Sequence, residues 1–137
     1  MLGSDHRSAV GGRKILVVDD NVELAEALAE WLEQLGHVVR IAHDGLAALR
    51  ILDDFIPDLA VLDIGLPVVD GYDLACRIRE RPELRNVLLV AMSGYSEEAH
   101  RETSRQAGFV AHLVKPVDPD CWRALVEEQT AGQSRPR

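Results

Sequence analysis

Cysteine is scarce: only Cys76 and Cys121 occur, without a CxxC pair or neighbouring metal-ligand residues. A disulfide framework and a thiolate metal site are therefore not expected, and the two thiols are read as reduced and without function. Basic stretches are also missing, with 15 Lys and Arg against 23 Asp and Glu and a formal net charge of -8. That balance argues against nonspecific binding to DNA, RNA or an anionic membrane surface. No long apolar run is present either. The longest, Val87 to Met92, falls far below the roughly 20 residues needed to cross a bilayer, and the N-terminus lacks the apolar segment of a secretory signal. A soluble, cytoplasmic protein with no membrane insertion is expected. Internal repeats and low-complexity blocks are absent as well.

What is present fits one folded unit. The 137 residues suffice for a single core, and the 47% apolar content is that of an ordinary globular protein. Residues 1–12 and 131–137 are small, polar and aperiodic, so both are expected to be flexible around a domain at 13–130. Within it, five apolar runs alternate with segments of helical period: Ile15 to Val18, Val38 to Ile41, Leu59 to Leu62, Val87 to Ala91, and Ala111 to Val114. Continuous apolar runs suit strands buried on both faces, as in a parallel sheet.

Leu24, Leu28, Leu32 and Leu35 form the stripe of a first helix, with Gly36 placed for a left-handed cap. Asp44 before Gly45 suits the start of a second helix, Asp70 a third, Ser96 a fourth, and Asp118 with Pro119 a fifth. The resulting (βα) unit repeated five times, with right-handed crossovers, gives an α/β doubly wound three-layer sandwich around a five-stranded parallel sheet. Functional groups of such folds gather at the carboxyl ends of the strands.

The polar residues at those ends form an unusual set. Asp19 and Asp20 follow the first strand, Asp63 the third, Ser93 the fourth and Lys115 the fifth. Any one of them has an ordinary use as a helix cap, a solvated loop residue or a surface charge. Together they converge on one edge. Three crowded carboxylates repel one another and, unless one is protonated, require a divalent cation, for which magnesium (or manganese) is the natural candidate. Lys115 and the Ser93 hydroxyl then complete a pocket suited to a phosphoryl group, with Asp63 as its nucleophile and Gly94 leaving room for entry.

The pattern Ile-Leu-Val-Val-Asp-Asp-Asn at 15–21, Asp-Ile-Gly-Leu-Pro with Asp-Gly-Tyr across 63–72, Ser-Gly at 93–94 and Lys-Pro at 115–116 resembles the response-regulator receiver family. Its coverage, about residues 13–130, and the spacings of 30 residues from Asp63 to Ser93 and 52 to Lys115 are those usual in that family. The strand order 2-1-3-4-5, flavodoxin-like, is adopted from the same class of fold. The resemblance implies that Asp63 is phosphoacceptor and metal ligand. It also implies that Asp20 ligates magnesium directly, that Asp19 acts mainly through water, and that Gly65 lends its backbone carbonyl. Ser93 and Lys115 are implied to bind the phosphoryl group, the Lys115–Pro116 peptide to be cis, and Pro67 and Gly71 to shape the loop after the third strand. A sensor histidine kinase or histidine phosphotransfer protein is the implied donor. The implied output surface is the face of the fourth helix, fifth strand and fifth helix around His100, Arg101, Arg105, His112 and Trp122, acting on a downstream protein rather than on nucleic acid. Whether the chain is a stand-alone receiver or part of a larger regulator or hybrid kinase stays open.

Two other strand-end chemistries fit less well. A phosphatase of the haloacid-dehalogenase type needs a second acid two residues after its nucleophile, where Gly65 stands. A flavin or nucleotide binder needs a first loop rich in glycine or hydroxyls, where Asp19, Asp20 and Asn21 stand. A receiver-like module that never takes phosphate is a third alternative, against which every charged group of the pocket is retained. The chain also departs from the family in two places. His112 occupies the position usually held by Tyr or Phe, three residues before the lysine, so the switch is expected either to depend on pH or to lack a role for this side chain. Gly65 and Tyr95 occupy the positions that tune acyl-phosphate lifetime: glycine cannot orient an attacking water, and Tyr95 either shields the site or only packs on the fourth helix. Slow self-dephosphorylation is the expected outcome. It is checked by following the phosphorylated protein in magnesium buffer, where a half-life of seconds would contradict it.

Overall fold

The computed structural model of the chain describes residues 12–66, 68–93, 108–115, 120 and 123–124. Five strands lie in one parallel sheet: β1 (Lys14–Val18), β2 (Val38–Ala42), β3 (Leu59–Asp63), β4 (Leu88–Ser93) and β5 (Phe109–Val114). Their order is β2-β1-β3-β4-β5, as expected. The chain steps outward from β1 to β2, then returns across β1 to β3, so the order reverses between β1 and β3. The crevice at such a reversal, beyond the carboxyl ends of the strands, is where open α/β sheets bind their ligands.

Burial follows from the continuous apolar runs. Ile15 to Val18 and Leu59 to Leu62 are wholly inaccessible to solvent. Alternate residues point to opposite faces. Leu16, Val18, Ala60, Leu62, Leu89 and Ala91 enter one cluster with Ala48, Leu52, Leu74 and Ile78 from the helices on that side. Ile15, Val17, Leu59, Val61, Val90 and Met92 enter a second cluster with Ala25 and Leu32. These two clusters are the interfaces of a three-layer sandwich. β2 departs from the expectation of burial on both faces: Val38 and Arg40 are exposed, because this strand closes one edge of the sheet.

Helix α1 (Val22–Gln34) starts at Asn21, whose side chain accepts the Leu24 amide at 3.1 Å. It ends at Gly36, with φ of 100°, where the Gly36 amide meets the Glu33 carbonyl at 3.0 Å and the His37 amide meets that of Leu32 at 3.3 Å. This is the left-handed cap foreseen for Gly36. The buried face differs from the predicted leucine stripe. Ala25, Ala29 and Leu32 are the buried residues, and Leu28 and Trp31 pack only partly against them. Small side chains let the helix backbone approach the sheet, which leaves Leu32 buried but moves Leu28 to the margin.

Helix α2 (Gly45–Ile51) is capped by Asp44 and helix α3 (Gly71–Arg79) by Asp70, both as expected. A 3-10 turn at Pro82–Leu84 leads into β4. There the Arg79 guanidinium donates to the carbonyls of Leu84 at 3.1 Å, Arg85 at 3.3 Å and Val87 at 2.7 Å. The predicted starts of the fourth and fifth helices, at Ser96 and Asp118, and the two terminal segments lie outside the described residues; residues 120 and 123–124 are helical.

Gly71 fixes how α3 joins β3. A methyl group added there would lie 2.6 Å from the Ile64 Cα and 2.8 Å from the Asp63 carbonyl oxygen, both backbone atoms that cannot rotate away. The same addition at Gly65 meets only an Asp63 carboxylate oxygen at 3.5 Å, an ordinary contact. Gly71→Ala is therefore expected to lower stability by about 1–3 kcal/mol through forced backbone displacement, while Gly65→Ala leaves it nearly unchanged. Urea denaturation of both variants checks this.

Candidate functional site

The carboxyl ends of β1, β3, β4 and β5 bring the expected polar residues together. Asp63 is the last residue of β3 and Asp19 follows β1 directly; both are buried, Asp19 at 0% exposure, while Asp20 opens to solvent. One carboxylate oxygen from each of Asp19, Asp20 and Asp63 lies within 4.8 Å of the others. Ser93 is the last residue of β4, and Lys115 follows β5.

Backbone bonds hold this arrangement. The Asp19 amide donates to the Ala42 carbonyl at 3.0 Å, the Ile64 amide to that of Met92 at 3.0 Å, and the Lys115 amide to that of Ser93 at 2.7 Å. Each carboxylate is then oriented by the chain that follows it. The Asn21 amide donates to Asp19 Oδ1 at 3.0 Å, and the Gly65 amide to Asp63 Oδ1 at 2.9 Å. The remaining oxygens turn inward to one ammonium: Lys115 Nζ lies 2.9 Å from Asp19 Oδ2 and 3.1 Å from Asp63 Oδ2. Beside it, Ser93 Oγ and His112 Nε2 are hydrogen-bonded at 2.9 Å.

Among the described residues one ammonium faces three carboxylates, an excess of negative charge. Among the described residues Asp19 Oδ2 is buried and finds no hydrogen-bond partner, so its contact with Lys115 is an ion pair without hydrogen-bond alignment. A hard, oxygen-seeking cation fits this donor set. Burial pushes the Asp19 carboxyl above its ordinary range, and the Asp63 charge adds to this; the Asn21 amide and Lys115 oppose it only in part. Burial pulls Lys115 downward, but the ion pair with Asp19 and the hydrogen bond and charge of Asp63 outweigh it and hold the ammonium above its ordinary value.

Sequence reasoning missed two supports. Asn21 caps α1 and also ties down Asp19 through its amide, and an Asn directly before a helical period is a cap signal that could have found it. His43 donates from Nδ1 to the Asp19 carbonyl at 3.0 Å, since a carbonyl can only accept, and nothing in the sequence marked it. Gly65 sits in the turn after β3. Pro67, Gly94, Tyr95, His100, Arg101, Arg105, Pro116 and Trp122 lie outside the described residues.

The family model of the response regulator receiver domain matches residues 15–127, so the chain belongs to that family. Sporulation initiation phosphotransferase F of Bacillus subtilis is 33% identical, over 84% of this chain and 91% of its own length. The signal receiver domain of a signal transduction histidine kinase from Syntrophus aciditrophicus superposes with a TM-score of 0.81 at 27% identity, covering 91% of this chain and 95% of that one. The receiver domain of the sensor histidine kinase PA1611 from Pseudomonas aeruginosa, solved with a magnesium ion coordinated in its active site cleft, gives 0.80 at 29% identity, covering 88% and 99%. The chain spans less than half the length of several other curated relatives it matches. Among the described residues, no helix is long and apolar enough to cross a membrane.

A raised carboxyl pKa means that the folded protein holds this proton more tightly than the unfolded chain does. The contribution of protonated Asp19 is therefore complete below its ordinary value and is lost as pH rises through the folded value. The contribution of Lys115, also raised, is complete below its ordinary value and is lost as pH climbs through the higher folded one. Without divalent metal at about pH 7, Asp19→Asn is expected to be more stable than the parent, on the order of 1 kcal/mol. The gap should shrink as the solution is acidified and Asp19 becomes neutral. Urea midpoints measured across pH in a chelating buffer check both statements.

Proposed function

We propose that Asp63 is the phosphoacceptor of a two-component or phosphorelay system, taking its phosphoryl group from a phosphohistidine on a sensor kinase or histidine phosphotransfer protein. The observation that carries this reading is the setting of the Asp63 carboxylate. One of its oxygens rests on the Gly65 amide and the other on Lys115, at the mouth of an acidic cluster. An Asp63 oxygen attacks phosphorus, the P–N bond to the donor imidazole breaks with its electron pair leaving on that nitrogen, and an acyl phosphate remains on Asp63. No general base is needed, because the carboxylate attacks in its ionised form.

Lys115 stays beside Asp63 and neutralises part of the charge gathered on the transferred group, and Ser93 donates its hydroxyl to another phosphoryl oxygen. Asp19, Asp20 and Asp63, with the Gly65 carbonyl, would hold magnesium or manganese, which when bound would supply positive charge to offset the charge of the transferred group. The magnesium ion in the cleft of the PA1611 receiver supports this assignment. The only chemistry assigned to the chain is its own phosphorylation and a slow loss of the phosphoryl group.

About two negative charges then sit between Lys115 and Ser93 and draw both inward. His112 lies on β5 next to this movement. The face built from the fourth helix, β5 and the fifth helix is the proposed contact for a downstream protein. Acetyl phosphate with magnesium is expected to label the protein once, and Asp63→Asn to abolish labelling while the fold is kept. Intact-protein mass spectrometry reads both, and undiminished labelling of Asp63→Asn would refute the assignment.

A further inference from the structure

The three acids of the site are not held equally. Asp19 rests on the Asn21 amide and Lys115, and Asp63 on the Gly65 amide and the same lysine. Among the described residues the Asp20 carboxylate, open to solvent, has no such tether. Its place is inherited from the main chain, which carries it between the end of β1 and the cap of α1.

Both flanks of that stretch are fixed. The Asp19 amide donates to the Ala42 carbonyl at 3.0 Å, and Asn21 accepts the Leu24 amide at 3.1 Å. The planar peptide between Asp19 and Asp20 can still turn, because opposite rotations about the two soft dihedrals beside it reorient the plane with its flanking Cα atoms almost in place. Such a turn would move the Asp20 nitrogen and re-aim the Asp20 side chain.

His43 stands where that turn can be blocked. A parallel ladder would next bring the amide of Asp44 to the Asp19 carbonyl. The chain bends at Asp44 into the cap of α2 instead, and the His43 ring supplies the donor, with Nδ1 3.0 Å from that oxygen. A carbonyl only accepts, so Nδ1 carries the hydrogen whether the ring is neutral or charged. The half-buried ring is itself well seated, between Ala42, paired with Val18, and Asp44, whose side chain takes the Ala47 amide at 2.7 Å.

We propose that His43 is a positioning residue for the metal centre: its Nδ1–H fixes the Asp19–Asp20 peptide and so keeps the untethered Asp20 carboxylate within reach of those of Asp19 and Asp63. The proposal rests on the reading of these three acids as the magnesium or manganese site. Holding Asp20 in place beforehand removes the cost of ordering it when the ion binds, so His43 sets metal affinity.

The test titrates Mn2+ against the full chain as wild type, His43→Ala and His43→Asn, with free Mn2+ read by its electron paramagnetic resonance signal. His43→Ala should weaken binding by about tenfold, the usual worth of a group that orients a metal ligand. His43→Asn, whose amide nitrogen can reach the same carbonyl, should restore most of that loss. Neither replacement can be charged, so the difference between them reports the hydrogen bond. Unchanged affinity in His43→Ala, or an equal loss in both variants, overturns the proposal. Should His43→Ala fail to fold, a tenfold loss in His43→Asn overturns it and near wild-type affinity there upholds it. Long-range 15N spectra of the wild-type protein, at a pH where the ring is neutral, should place the hydrogen on Nδ1; a hydrogen on Nε2 alone overturns the proposal as well. If the wild-type chain binds no Mn2+, the metal reading of the acidic cluster falls first and this inference with it, whereas wild-type binding that ignores His43→Ala sinks this inference alone.

Discussion

The architecture of this site depends on the sharing of one ammonium by two buried carboxylates. Lys115 lies about equally far from Asp19 and Asp63, at 2.9 and 3.1 Å, and comes from a strand at the far edge of the sheet. Charge attraction at this distance inside a protein is strong, yet removing all three groups from water is costly, so the pair-and-a-half arrangement adds little net stability. Its effect is positional. The cation holds two acids in place while leaving the cluster of described residues short of positive charge, a donor set that fits a hard cation.

Holding such a cluster together takes the whole sheet. Asp19, Asp63, Ser93 and Lys115 come from four strands, and their relative placement follows from strand register: Val18 opposite Leu62, Asp63 opposite Met92, Ser93 opposite Val114. The register is set in turn by the two apolar clusters on either side of the sheet, since a slip of one residue would turn Leu16 and Val18 out of one layer and Ile15 and Val17 out of the other. Packing far from the carboxylates therefore decides their separation.

Much of this was legible in the sequence. Five apolar runs with intervening helical period were enough for the sheet, and acidic, hydroxyl and basic residues at successive strand ends were enough for the site, because a parallel strand exports its next residue to one common edge. The helix caps at Asp44 and Asp70 and the left-handed residue at Gly36 were readable from local chemistry for the same reason. What could not be read was contact across elements. The leucine stripe of α1 gave the right helix but not its buried face, since Ala25 and Ala29 make the close approach. The support of Asp19 by His43, and the pairing of His112 with Ser93, depend on neighbours far apart in the chain. The apolar run of β2 suggested burial on both faces, but as the edge strand of the expected order it leaves Val38 and Arg40 exposed.

The clamp formed by Arg79 gives α3 a mechanical character. Three carbonyls of the following connection are held by one guanidinium at the end of this helix, while its first residue, Gly71, is pressed against the backbone of Asp63 and Ile64. A helix seated at one end and bolted at the other behaves as a stiff strut.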